Sequence, residues 1–164
     1  MAVDMFLRID TLEGESEDEA HGKEIEVLGW TFMGAQTGTS SVGGGAGAGK
    51  VEIQDIEIKK RVDRSSPVLY KLCASGLPLK TADLTVRKAG GTALEYMKIH
   101  LEDMIITSFK VSPEVTDDQI IETIRINFAK WGVTYTPQVA GGGGGATVSG
   151  GWDMKKNIEY SPPA

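Results

Sequence analysis

The segment with the most chemical promise is Gly44–Lys50, which reads GGAGAGK and has the spacing of a phosphate-binding loop. Such a loop cradles phosphates on backbone amides, reaches them with its lysine, and holds magnesium with a following Ser or Thr. Val51 stands where that hydroxyl belongs. The loop also needs an apolar strand before it and a helix after it, with the helix N-terminus facing the phosphates. Here a polar stretch precedes and an alternating, strand-like stretch follows. The motif is therefore set aside.

His21 and His100 are the only histidines, and Cys73 is the only cysteine. His21 lies in an acidic stretch and His100 on an alternating one, and neither has further ligands at metal-binding spacing. One cysteine closes no disulfide within a chain. Ser, His and Asp all occur, but without the strand–turn–helix pattern that exposes a nucleophile. These residues predict structural roles, with no catalytic, cofactor or metal site and no enzymatic activity.

The 164 residues suit a single domain spanning 1–164. A net charge of −6 argues against a nucleic-acid binder, which usually carries a basic face. The start, MAVDMFLRID, has neither the basic n-region nor the apolar h-region of a signal peptide. No run of 18 apolar residues is available to cross a membrane as a helix. Composition alone predicts a cytoplasmic protein without membrane insertion.

The elements that must position any site read mostly as short strands. Met5, Leu7 and Ile9 share one parity, which predicts a half-buried strand. Glu13, Glu15, Glu17, Asp18 and Glu19 follow; such dense like charge predicts a solvated loop. Over Glu24–Phe32, strict alternation points Leu28, Trp30 and Phe32 into the core and Gly29 and Thr31 outward. The uncharged stretch from Gly34 to Gly49 is too long for a hairpin turn, and loops of that kind are usually functional or disordered. Val51–Val62 reverses its apolar parity at Asp55, which predicts a bulge.

Ser66 as N-cap, Pro67 in the first turn and Gly76 past the end predict one short helix with Val68, Leu69, Leu72 and Cys73 on its apolar stripe. Ala82–Lys88, Glu95–Asp103, Met104–Val111, Ile120–Trp131 and Val133–Pro137 read as strands. Turns are expected at Gly90–Gly91 and Ser112–Asp118. A glycine run at Gly141–Gly145 leads into a last segment, Gly151–Ile158. The basic groups Lys59–Lys60–Arg61, Arg87–Lys88 and Lys155–Lys156 read as solvated strand ends or as partners for a neighbour's acidic loop. Trp30, Trp131 and Trp152 read as core anchors or interface residues. Several strands with one helix predict a mainly β barrel or sandwich.

Taken in order, AVDMFLRID (Ala2–Asp10), GES (Gly14–Ser16), His21, EIEVLGW (Glu24–Trp30), SSPVLYKLCASG (Ser65–Gly76), RKAGG (Arg87–Gly91), EYMKIHLED (Glu95–Asp103), INFAK (Ile126–Lys130), YTPQ (Tyr135–Gln138) and GGWDMKKN (Gly150–Asn157) resemble the haemolysin-coregulated protein (Hcp) family of type VI secretion. The resemblance spans nearly the whole chain. It implies a β-barrel of two antiparallel sheets with one helix at its side and a long extended loop. It further implies a non-enzymatic tube subunit: homohexameric rings that stack, meet sheath and spike proteins, carry small effectors in the lumen, and leave the cell without a cleavable signal peptide. On that basis Gly29 and Thr31 are candidate lumen contacts, and Thr39, Ser40, Ser41 and Val42 mark a candidate inter-subunit loop. A monomeric barrel binding a small ligand is the competing reading.

Overall fold

The computed structural model describes residues 2–38, 49–89, 93–113 and 118–164. The inter-subunit loop residues Thr39, Ser40, Ser41 and Val42, most of the Gly44–Lys50 motif and the Gly90–Gly91 turn lie outside the described residues. In chain order the elements are β1 (Val3–Ile9), β2 (Ile25–Thr31), β3 (Gly34–Ala35), β4 (Glu52–Ile53), β5 (Ile56–Arg61), α1 (Ser66–Ser75), β6 (Leu79–Lys88), β7 (Glu95–Ser112), β8 (Ile121–Tyr135), β9 (Val148–Asp153) and β10 (Ile158–Glu159).

The main sheet runs β10-β9-β8-β5-β2-β1-β6-β7, and β7 also pairs with β8, which closes a barrel. Two long strands make this possible. The first half of β8 pairs with β5 and its second half with β9, while β7 follows it along nearly its full length. The barrel thus consists of two antiparallel sheets joined through β7 and β8, with α1 against β7. β7 and β8 each merge two segments that the sequence reading kept apart. The predicted break at Asp103 is instead a single left-handed residue (φ 54°) inside β7. Across it the buried positions change from Ile99 and Leu101 to Met104 and Ile106. A register shift between Ile106 and Ser108 bends the strand again.

Ile56, Ile58, Ile124 and Ile126 fill the core beneath β5 and β8, and Leu7, Ile9, Leu84, Ile99 and Leu101 fill it beneath the second sheet. Burying each such side chain is worth about 1.5–3 kcal/mol. Three local expectations need correction. The parity reversal near Asp55 is a break between two strands: β4 pairs with β3 in a separate small ribbon, and β5 joins the barrel. The N-cap position falls on Ser65, not Ser66, and its side chain makes no capping hydrogen bond, while Gly76 takes the expected left-handed C-cap (φ 66°). Val68 points to solvent, so the helix's apolar contact is made by Leu69 with Tyr70, Leu72 and Cys73.

Candidate functional site

β2 contains a bulge. Val27 pairs with Lys60 and Gly29 with Lys59, so Leu28 is the extra residue. Strict alternation is broken there. Ile25 and Val27 face the core before the bulge, and Trp30 and Phe32 pack against it after the bulge. The expectation therefore holds for Trp30 and Phe32 and fails for Leu28. Beyond the bulge Thr31 is exposed, and a Cβ built on Gly29 would meet nothing within 4 Å.

Pairing places neighbours on the same face. Thr31 stands beside Glu57, Glu57 beside Arg125, and Arg125 beside Ser108. The next row runs Gly29, Lys59, Thr123, Lys110. Arg125 and Glu57 form an ion pair at 3.1 Å, and Asp55 accepts hydrogen bonds from Thr107 (2.6 Å) and Asn127 (2.8 Å). The outer face of this sheet is thus open, polar and mixed in charge. It offers hydrogen-bonding side chains to a ligand.

The inner side holds an unforeseen cluster. Lys60, expected as a solvated strand end or as a partner for a neighbour's acidic loop, is fully buried and directly opposite Glu122. Its Nζ lies 2.5 Å from Glu122 Oε1, 3.0 Å from Asp63 Oδ1 and 3.1 Å from Ser66 Oγ. Ser66 Oγ also reaches Glu122 Oε1 at 2.5 Å, and the Tyr70 hydroxyl donates to Glu122 Oε2. Burial, with the Glu122 carboxylate beside it, pushes the Tyr70 phenol up to about 12. Ser66 therefore serves this cluster instead of capping the helix, and through it α1 is tied to the seam between β5 and β8.

The acidic stretch also folds back on its own barrel. The His21 ring stacks on Phe6 (4.4 Å, 8°) and bridges Glu24 (2.8 Å) and Glu95 (2.7 Å). Arg87 lies over the other aromatic partner, Phe6, at 5.0 Å and binds Asp18 (2.5 Å) and Asp4 (3.2 Å). The Asp18 carboxyl is held down at about 2 by that guanidinium and by amides of Ala20 and His21. His100 sits between Asp83 (2.7 Å) and Glu102 (3.2 Å). In both cases the carboxylates occupy opposite ring nitrogens, so they do not converge on one point. Among the described residues no group of three or more His, Cys, Asp or Glu is placed to hold a metal. Cys73 is a half-buried free thiol packed against the core.

Large apolar side chains remain exposed along the β8–β9–β10 edge. Tyr135 (49%) stands opposite Val148 (67%), and Ile158 (51%) continues the edge. Trp131 packs edge-on against Phe32 at 5.3 Å, whereas Trp152 donates to Asn157 at 3.3 Å near this edge. No helix among the described residues is long and apolar enough to cross a membrane.

Comparison with known proteins gives a consistent result. The family "Type VI secretion system effector, Hcp" is matched over residues 6–135. Protein hcp1 of Pseudomonas aeruginosa is 41% identical over 161 residues, which cover 97% of this chain and 99% of that protein. The crystal structure of Hcp1 from Salmonella typhimurium superposes with a TM-score of 0.78 at 35% identity, covering 98% of this chain and 100% of that one. The solved structure of a type six secretion system protein gives a TM-score of 0.91 at 25% identity, over 97% and 100% of the two chains.

Proposed function

The chain belongs to the Hcp family and is a tube protein of the type VI secretion system, and from that premise we propose that it acts as a ring-forming, cargo-carrying subunit without enzymatic activity. Six copies close a ring, rings stack into the inner tube, and sheath and spike proteins are its partners. The type VI machine carries it out of the cell. Small effectors bind in the lumen against the outer face that carries Gly29 and Thr31.

The observation that carries this reading is the pairing of two unlike surfaces on one barrel. The face around Thr31 is polar and open. The edge at Tyr135, Val148 and Ile158 leaves large apolar side chains in water, and apolar patches of that kind mark contact surfaces. A channel lining needs the first and a subunit interface uses the second. Light scattering across a dilution series tests the proposal: a discrete species several times 17.6 kDa is expected, with rings visible by negative stain. A monomer at every concentration would favour the single-barrel, ligand-binding alternative.

A further inference from the structure

Five residues stand side by side across five strands: Arg8, Asp83, His100, Gly132 and Gly151. At one end of this row the two glycines form a slot. A Cβ on Gly132 would lie 2.7 Å from Pro162 Cγ, and one on Gly151 would lie 2.6 Å from the Tyr160 carbonyl oxygen. The C-terminal tail fills the space that a side chain on Gly132 would take, and at Gly151 it shares that space with the Trp131 carbonyl oxygen, 2.5 Å from the same Cβ. Tyr160 N–H donates to Gly151 O (3.1 Å), and its hydroxyl donates to Glu102 Oε1 (2.7 Å).

The other end of the row controls Glu102. His100 Nδ1 lies 2.7 Å from Asp83 Oδ1, and Nε2 lies 3.2 Å from Glu102 Oε1, the same oxygen that Tyr160 uses. An ionised carboxylate only accepts, so both contacts are hydrogen bonds only when the ring is protonated on both nitrogens and carries a positive charge. Asp83 has other cations to hold it, Arg8 at 2.7 Å and Lys98 at 3.9 Å. Glu102 has Lys130 at 3.4 Å on its second oxygen. When the ring loses one proton, Nδ1 keeps its hydrogen for the shorter bond to Asp83. Nε2 then turns a lone pair towards Glu102 Oε1.

We propose that His100 is a proton-operated catch for the C-terminal tail. Doubly protonated, it fixes Glu102 where the Tyr160 hydroxyl reaches it; singly protonated, it repels that carboxylate and loosens the tail from the Gly132–Gly151 slot. The hydrogen bond to Asp83 raises the His100 pKa above its ordinary value, against the opposing effect of burial, and Glu102 adds to the rise. The folded value lies above the unfolded one. Docking is therefore complete below about pH 6.5 and is lost as pH rises through the higher folded value.

Hydrogen exchange of the full chain, corrected for the intrinsic rate at each pH, reads the docking at the Tyr160 amide. Wild type should lose about tenfold in protection there between about pH 6 and about pH 9, the scale of one charge-assisted hydrogen bond. His100→Gln offers a side-chain donor and acceptor that do not titrate, and its protection should not change over that range. Tyr160→Phe should be poorly protected at both pH values. Equal protection of wild type at both ends overturns the proposal, as does a wild-type drop that persists in His100→Gln. Should His100→Gln fail to fold, Tyr160→Phe decides: a persistent drop there overturns the catch, because it acts through that hydroxyl.

Discussion

Lys60 and Glu122 face each other across the β5–β8 pairing with Nζ 2.5 Å from Oε1, both out of water beside the buried isoleucines Ile56, Ile58, Ile124 and Ile126. Removing one partner strands a buried charge, which typically costs about 3–5 kcal/mol. Lys60→Ala should be destabilised by that amount in urea unfolding. The double variant Lys60→Met/Glu122→Leu should recover most of the loss, although it frees Tyr70 and Ser66 of their acceptor. A double variant as unstable as Lys60→Ala would show that the polar partners on α1, and not the stranded charge, dominate.

Arg87 and Asp18 make the acid limit of the fold readable. The Asp18 carboxyl is held at about 2, below its ordinary value, chiefly by its hydrogen bond with Arg87. A depressed folded value contributes stability above the unfolded pKa, near 4, and loses it as pH falls through about 2. Arg87→Met should move the Asp18 titration, followed by carboxyl carbon shifts, back towards the ordinary range. It should also shift acid unfolding to higher pH. An unchanged Asp18 titration would assign the depression to the Ala20 and His21 amides.

Thr31→Gln puts a longer side chain on the open outer face at a position repeated in every copy of a ring. Ring formation should survive, since Thr31 is exposed and packs into no core. Recovery of a co-expressed lumen cargo should fall several-fold in pull-down, a loss that one disrupted contact of about 1 kcal/mol can supply when repeated. Equal recovery would remove Thr31 from the cargo surface, and loss of the ring would move it to an interface.

Deleting Thr39–Gly47 should leave a folded barrel, because the strands on either side, β3 and β4, pair with each other and not with the main sheet. The proposed role of that segment is contact with a neighbouring subunit. The variant should keep its circular dichroism and thermal transition while its ring population in size-exclusion chromatography drops. Unimpaired rings would make the segment a passive connection.

Much of this architecture was legible in the residues. Period-two patterns located the barrel strands, and Gly76 located the end of the helix, because both signals are local. The errors share a cause. Alternation reports that a strand is half-buried but not which residue a bulge expels, so Leu28 was turned inward. The same limit turned the strand break near Asp55 into a bulge. Lys60 read as surface because its partner, Glu122, is 62 residues away in sequence, and no local pattern announces a buried pair. The slot for the tail needed the register of β8 with β9, which places Gly132 beside Gly151. Alternation gave only the outward direction of Gly29 and Thr31, which they keep because both follow the bulge, while their lumen role comes from the resemblance and remains a proposal.

The shared strands have a mechanical meaning. β7 and β8, of 18 and 15 residues, run antiparallel and stay paired from Met97–Tyr135 to Ser112–Ile121. Their inter-strand bonds lie across the strand direction. A load along these strands must shear the whole ladder at once, whereas a load that peels a short edge such as β10 opens it rung by rung. The barrel is therefore anisotropic, stiff along its longest pair and weak at its last one. A subunit driven forward as part of a rigid rod withstands more thrust when that thrust is carried along β7 and β8.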